Sequence, residues 1–379
     1  MSCDLFVFAG EKSGDLHGAK LLQALYAKNP QLNIAGVGGP QMRAQGMQCV
    51  LPMEEFQVMG FIDVFRKIIK LIRQFYFVAN EIQRLNPKAV ITIDYPGFNL
   101  RLHKHLKKKG LKPKRVHFIC PSVWAWGKKR IPLMADNLDL LLCILPFEKA
   151  LFTNTPLRVA YVGHPLAERL KTYAYKPFSV SHKIIALFPG SRKKEIERNL
   201  PLILDACRAH LSKHPDFQIA LSVSDEKLRP LIVDILKKKG WHDILLVPAD
   251  HSYELMKAAY LAIAKSGTVT LELALHRVPT VVVYAVSFLD KIIAYHILRI
   301  RLPFYCLVNI IAQKKVFPEL IGPHFTLENI ETSLEELLTP ASRSAVQQEC
   351  DLLIEQLKGK HTSHDAAEEI FQMIDFKIT

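Results

Sequence analysis

Lys265-Ser266-Gly267-Thr268-Val269-Thr270-Leu271-Glu272 decides how this chain is read. It follows Tyr260-Leu261-Ala262-Ile263-Ala264, an apolar run of strand length, and leads into Leu271, Leu273, Ala274 and Leu275, which open a helix. A strand thus enters a helix through Ser266-Gly267-Thr268. Free N–H groups and the positive dipole end gather at such a helix start, and Gly267 leaves the backbone open to a ligand, so a phosphate suits it. Glu272, one turn further in, offers a carboxylate to vicinal hydroxyls, as an acidic residue does for ribose in dinucleotide sites. An ordinary N-cap at Thr268, with Glu272 favourable to the dipole, explains the same residues. The stretch alone leaves both readings open.

The pattern recurs from the start of the chain. Leu5-Phe6-Val7-Phe8-Ala9 is a strand that runs into Gly10-Glu11-Lys12-Ser13-Gly14-Asp15 and a helix over about 16–27. Gly10-x-x-x-Gly14 is neither a GxGxxG turn nor a Walker A loop, so no dinucleotide or NTPase label follows. Ile34 to Pro40 is a strand with a glycine turn, followed by a short helix over 42–46. Lys88 to Asp94 reads as a strand ending on a carboxylate, at the carboxyl end where α/β proteins place their chemistry, although an Asp in a turn before proline is also ordinary. Val116 to Cys120 leads to Pro121-Ser122-Val123-Trp124-Ala125-Trp126, whose tryptophans, flanked by Lys128, Lys129 and Arg130, either pack beneath the loop or hold a ligand. Leu140 to Leu145 and Val159 to Pro165 complete the strands of the first half.

Residues 171–182 are aromatic, polar and without periodicity, as a linker is. The alternation then restarts: Ile184 to Phe188 ends in Pro189-Gly190-Ser191-Arg192, and further strands are expected over 217–223, 244–247, 259–264 and 280–286. Two doubly wound, Rossmann-like α/β domains facing a cleft are the expected architecture. The expected boundaries are an N-terminal domain over 1–170, a linker over 171–182, a C-terminal domain over 183–340 and closing helices over 341–379 that return to the N-terminal domain. Arg192 and the two turns Gly190-Ser191 and Ser266-Gly267-Thr268 would together receive a nucleotide diphosphate, with Glu272 on its sugar, and this reading needs no metal or other cofactor.

Composition narrows the class. A length of 379 residues exceeds one ordinary core, and 49% hydrophobic with 23% charged residues fits a folded protein. No apolar run approaches the roughly twenty residues of a membrane span, and the chain enters a strand within ten residues of its start; a cytoplasmic protein is expected. Seven scattered cysteines without a CxxC pair point to buried reduced thiols rather than disulfides or a cysteine zinc site. The balance of 50 Lys+Arg against 36 Asp+Glu, +14 net, points to an acidic partner. Lys107-Lys108-Lys109 and Lys237-Lys238-Lys239 precede Gly110 and Gly240, as helix C-termini do, and take up part of that excess. Residues 64–78 combine a broad apolar face with Arg66, Lys67, Lys70 and Arg73. A core helix fits this segment, and so does an element docking on an anionic membrane surface. Nucleic acid is not expected, because no recognised binding motif accompanies the charge.

The ordered motifs Ala9-Gly10-Glu11-x-Ser13-Gly14-Asp15, Val37-Gly38-Gly39-Pro40, Val58-Met59-Gly60, Ile93-Asp94-x-Pro96-x-Phe98-Asn99, Pro121 to Trp126, Leu145-Pro146-Phe147-Glu148, Val162-Gly163-His164, Pro189 to Arg192, and Ser266-Gly267-Thr268 with Glu272 resemble the lipid-A-disaccharide synthase family over nearly the whole chain. The resemblance implies a B-type glycosyltransferase fold. It implies transfer from UDP-2,3-diacylglucosamine to 2,3-diacylglucosamine 1-phosphate, releasing UDP and forming a β-1,6 disaccharide, by a peripheral protein on the cytoplasmic face of the inner membrane. By position it makes Asp94 the general base, Arg192 the diphosphate arginine, Glu272 the ribose glutamate and Asn309 a polar active-site residue. Gly10, Glu11, Ser13, Gly14 and Asp15 fall on the acceptor side. Gly97 departs from the family pattern, which has a second Asp there, and Lys265 replaces a small residue. Exchange of the closing helices between protomers would make a homodimer.

Overall fold

The computed structural model describes residues 3–56, 64–125, 127, 129–286 and 302–374, with the side chains of 64–67 excepted. It divides into two units: residues 1–169 with 359–379, and residues 170–358.

The first unit is built on a parallel sheet of β1 (Leu5–Ala9), β2 (Ile34–Gly38), β3 (Gln48–Pro52), β4 (Ala89–Ile93), β5 (Lys114–Phe118), β6 (Leu140–Cys143) and β7 (Arg158–Tyr161), in the order β3-β2-β1-β4-β5-β6-β7. Strands β1, β2, β4 and β6 are buried along their whole length. Their sequences are near-continuous apolar runs, broken only by the buried Thr92 of β4, because helices cover both faces of the sheet. On one face, Leu21, Leu22 and Leu25 of the helix Lys12–Lys28 pack with Ala366, Ala367, Ile370 and Phe371 of the helix Thr362–Met373. On the other, Val78, Ala79 and Ile82 of the helix Val64–Leu85 meet Phe98, Leu102 and Leu106 of the helix Pro96–Lys108. Phe8, Phe56 and Phe98 form an aromatic cluster there, with ring centroids 4.8–5.4 Å apart.

The second unit repeats the plan with β8 (Lys183–Phe188), β9 (Phe217–Val223), β10 (Leu245–Pro248), β11 (Ala259–Lys265), β12 (Thr280–Tyr284) and β13 (Glu319–Ile321), parallel in the order β10-β9-β8-β11-β12-β13. In both sheets the order reverses beside the first strand of the unit, between β1 and β4 and between β8 and β11. The crevice outside the carboxyl ends of two strands at such a reversal is where open α/β sheets bind ligands.

Two boundaries differ from those expected. The helix Pro340–Leu357, read as closing on the first domain, belongs to the second unit. Asp351 pairs with Arg277, Glu349 lies 2.7 Å from Lys314, and Arg343 covers the Tyr260 ring and donates to the Tyr260 carbonyl. Only the chain from Gly359 onward returns to the first unit, where Arg158 binds Glu369 at 2.6 Å. The 171–182 segment is extended, but Tyr173, Tyr175, Phe178 and Val180 pack on the core of the second unit. Lys176 N–H and Tyr173 Oη donate to Glu254 at 2.9 and 3.1 Å. The lysine runs behave as read: Lys109 and Lys239 end their helices beside Gly110 and Gly240, both with positive φ.

One buried carboxyl sets a pH dependence. Glu148, 1% exposed, accepts from Ile144 N–H at 3.2 Å and Leu145 N–H at 3.0 Å, yet burial pushes it up to about 7. Below about pH 4.3 the folded and unfolded states both hold this proton; above it the unfolded chain ionises while the folded chain does not, so stability falls until the pH passes about 7. Urea unfolding of wild type and Glu148→Gln between pH 4.5 and 8 is expected to give a difference that moves against wild type by about 1.4 kcal/mol per pH unit and then levels off. A pH-independent difference would contradict this origin.

Candidate functional site

In the first unit the register pairs Ala9 of β1 with Ile93 of β4, so Gly10-Glu11 and Asp94 leave adjacent strand ends at the reversal. Burial pushes the Asp94 carboxyl up, against a hydrogen bond from the Tyr95 N–H. Glu11 is also raised, by burial and by the neighbouring Asp94. Two carboxyls therefore leave neighbouring strand ends, and Asp94 makes Glu11 harder to ionise. Asp94 and Tyr95 hold consecutive left-handed conformations, φ 48° and 46°. Such non-glycine residues cost about 1–3 kcal/mol each and persist where the surroundings fix them. Here Asn99 does so, its Nδ2 donating to the Asp94 carbonyl at 2.6 Å and the Ile93 carbonyl at 3.3 Å. Gly10 faces Tyr95: a Cβ built on it would lie 3.0 Å from the ring.

The remaining residues of the glycine-rich turn divide. Ser13 is exposed at the start of its helix, and Gly14 is buried, where a Cβ would stand 3.3 Å from Ala9 Cβ. Asp15 does not face a ligand. It is 2% exposed and accepts from the N–H groups of Gly39 (2.8 Å), Gln41 (3.1 Å) and Met42 (3.0 Å), holding the turn after β2. The motif signal there is structural: a carboxylate satisfies the orphan donors of the short helix Pro40–Arg43. His17 is a packing residue, kept neutral as burial and Lys20 lower it to about 4. His164 accepts from Leu166 N–H at the start of the next helix. Trp124 packs against Phe147, centroids 5.9 Å apart; Trp126 and Lys128 lie outside the described residues.

In the second unit the two expected turns leave adjacent strands, since Phe188 of β8 pairs with Ala264 of β11. Arg192 is the N-cap residue of the helix Lys193–Lys213, and Gly267 that of the helix Thr268–Leu275. Two helix starts thus point their free N–H groups outward from neighbouring strands. Gly190 has φ 133°, and a Cβ there would meet Glu195 at 2.7 Å, so both backbone and space call for glycine. Glu195 is the residue the sequence reading missed. It accepts from Ser191 N–H at 3.1 Å and lies 3.2 Å from Arg192 and 3.3 Å from Lys265, joining the two turns. Burial raises this carboxyl, but Lys265, the Ser191 N–H and Arg192 together outweigh burial and hold it below its usual range. The spacing Arg192-x-x-Glu195 on a helix start was the available signal. Lys265 is turned inward, 19% exposed, with its ammonium 5.0 Å from the centroid of the Tyr284 ring. Arg192, by contrast, is 80% exposed, and an exposed pair of this kind contributes less than about 1 kcal/mol. An incoming anion can displace Glu195 from it at little cost.

Glu272 sits one turn inside the second helix and accepts from Tyr253 Oη at 2.9 Å. Ser266 Oγ donates to the Tyr305 carbonyl, and Thr268 is exposed. Asn309 is not presented to a ligand. It is fully buried, donating to the Phe317 carbonyl (2.8 Å) and Glu319 (2.9 Å) and accepting from Val316 and Phe317 N–H. All its bonding capacity goes into the turn before β13, so its place is structural. On the helix Val64–Leu85, Lys70 pairs with Glu55 at 2.8 Å and Arg73 is exposed; the side chains of Arg66 and Lys67 lie outside the described residues.

The chain is 39% identical over 377 residues to the lipid-A-disaccharide synthase of Chlamydia pneumoniae, covering 97% of this chain and 62% of that one. It is 34% identical over 345 residues to the Gluconobacter oxydans lipid-A-disaccharide synthase, covering 88% and 81%. The chain therefore spans about three fifths of the length of the chlamydial relatives. In fold it is similar to the S. aureus MnaA–UDP co-structure, with a TM-score of 0.66, 14% identity and coverage of 100% and 98%. It is likewise similar to the spinosyn forosaminyltransferase SpnP, with a TM-score of 0.58, 12% identity and coverage of 99% and 100%. The family model described as lipid-A-disaccharide synthetase matches residues 5–374, and with this match and these relatives the chain belongs to that family.

Proposed function

We propose that this chain is a glycosyltransferase of lipid A biosynthesis, joining UDP-2,3-diacylglucosamine to 2,3-diacylglucosamine 1-phosphate with inversion. The observation that carries the proposal is that four of the motifs, those that follow β1, β4, β8 and β11, fall at the strand-order reversals of the two sheets. In this reading Asp94 takes the proton of the acceptor hydroxyl as its oxygen bonds to the donor's anomeric carbon, and the bond from that carbon to the UDP diphosphate breaks. The electron pair leaves with UDP. Arg192, Lys265 and the N–H groups of the helix starts at 193 and 268 meet the charge that develops there, while Glu272 binds the ribose. Burial supports the base, because an Asp whose affinity for a proton is raised accepts one more readily. Gly97 leaves open space where the family pattern has a second Asp, so the chemistry rests on Asp94, with Glu11 beside it.

A similar fold is that of the UDP-GlcNAc 2-epimerase from Neisseria meningitidis, at a TM-score of 0.60, which sets a second reading in which the donor alone is isomerised. UDP release that requires the acceptor separates the two. With both substrates, wild type is expected to release UDP in EDTA, and Asp94→Asn to lose about a hundredfold or more of that rate. Folded wild type that binds UDP but never releases it from the donor would overturn the transferase, and an unimpaired Asp94→Asn would remove the base.

The helix Val64–Leu85 supports a membrane role. Its inner face is core, but Ile68, Ile69, Ile72, Tyr76 and Phe77 are 44–52% exposed, alongside Lys70 and Arg73. Isolated exposed apolar residues are ordinary; five on successive turns of one helix make a patch that needs a partner. Among the described residues no helix is long and apolar enough to cross a membrane. The patch fits docking on the anionic cytoplasmic face, where both lipid substrates present their head groups. An acyl chain needs an apolar lining, for which the sequence offers Val58-Met59-Gly60-Phe61-Ile62 and Phe65; residues 58–62 and the Phe65 side chain lie outside the described residues. Changing Ile68, Ile69 and Ile72 to Ser, or Arg66, Lys67, Lys70 and Arg73 to Gln, is expected to weaken sedimentation with phosphatidylglycerol vesicles at least tenfold, the Gln variant losing its salt sensitivity. Undiminished sedimentation of both would end this role.

A further inference from the structure

Helix Lys193–Lys213 carries His210 in its last turn, and His214 follows as its C-cap residue. Spacing of four places both imidazoles on one face. The helix Leu327–Leu338 packs alongside and brings Glu335 to them: His214 Nε2 lies 3.0 and 3.1 Å from the two carboxylate oxygens, and His210 Nδ1 lies 3.3 Å from Oε1. The ring centroids of the two histidines are 4.5 Å apart, and the three ligand atoms all lie within 4.8 Å of one another.

His210 has no ordinary reason to be where it is. It is 1% exposed, and neither of its ring nitrogens has a hydrogen bond of good geometry, although Nδ1 is aimed at the Glu335 oxygen. A buried imidazole without well-made hydrogen bonds is costly unless something else occupies its nitrogens. Phe217 meets both rings edge to face, with centroids 5.5 and 6.2 Å away, and Lys213, the nearest cation in sequence, is paired with Glu331 at 3.3 Å. His214 and Glu335 keep 30% and 40% of their side chains exposed, so the cluster opens to solvent on one side only.

We propose that His210, His214 and Glu335 form a site for a zinc-class divalent cation, with water in the fourth position. Two imidazole nitrogens and one carboxylate oxygen are a zinc donor set, and ligand atoms at the corners of a tetrahedron with bonds near 2.0–2.1 Å stand about 3.3 Å apart. The observed separations to Glu335, 3.0 to 3.3 Å, already have that spacing. The cation would give the idle Nδ1 of His210 its partner and cross-link two helices of the second unit. Its place is structural. From Arg192 to His210 the helix advances roughly 27 Å, so the ion takes no part in the chemistry proposed for the strand ends.

The untagged full chain, dialysed against EDTA and then titrated with cobalt(II) as a spectroscopic stand-in, tests this without reference to activity. Wild type is expected to bind one cobalt per chain, with the visible absorption of a four- or five-coordinate ion, and zinc is expected to raise the unfolding temperature by about 5 °C or more. His214→Gln and Glu335→Gln alter half-exposed positions that leave the core filled, and both are expected to fold while losing the absorption and the zinc-induced shift. Absence of the absorption in wild type, or its persistence unchanged in both folded variants, would overturn the site and leave the trio as a hydrogen-bonded helix contact.

Discussion

Reversal of strand order is the constraint on which the rest depends. A parallel sheet wound outward in both directions from its first strand must part the two connections that follow the central pair, and nothing of the chain then covers those strand ends. In this protein the pairs are β1 with β4 and β8 with β11. Every residue proposed for the chemistry, apart from Glu272 one turn deeper, stands within a few positions of one of these four ends. The apolar runs that make the central strands buried on both faces therefore also fix where polar groups emerge.

What emerges differs between the units. At β1 and β4 the chain gathers negative charge in partial burial, Glu11 beside Asp94, and pins it with a left-handed pair held by Asn99. That arrangement suits a group that accepts a proton. At β8 and β11 it gathers donors and cations, two helix starts with Arg192 and Lys265, and uses Glu195 as the counter-ion that keeps them in place. That arrangement suits a diphosphate. Lys265, one of the departures from the family pattern, is tied into this network by Glu195 and the face of Tyr284.

Much of this was legible in the sequence because burial on both faces writes itself as an unbroken apolar run. Leu5 to Ala9, Leu140 to Leu145 and Tyr260 to Ala264 read as strands for that reason, and the turns after the first and last of them read as sites. Strands β3 and β13 were not read: Gln48–Pro52 is an edge strand of mixed exposure and Glu319–Ile321 is three residues long, so neither carries a run. Periodicity identified the helix Pro340–Leu357 but not which sheet it would cover, since that is settled by ion pairs with Arg277 and Lys314 far back in the chain. Motif position likewise cannot tell a side chain turned outward from one turned inward. Asp15 and Asn309 lie in or beside motifs yet spend their oxygens on backbone N–H groups, whereas Glu195, outside any motif, joins the two turns. The His210–His214 spacing was present too, but its meaning depended on Glu335 arriving from another helix.

The proposed chemistry requires that a nucleotide diphosphate bind at the second unit's paired turns. Amide hydrogen exchange followed by mass spectrometry, with and without saturating UDP, reads this position by position. Protection concentrated in peptides covering 189–195 and 265–272, with 217–223 and the β1 and β4 ends unchanged, is the expected result. Protection at the first unit's strand ends instead, or none in the second unit under conditions where UDP is bound, would contradict it.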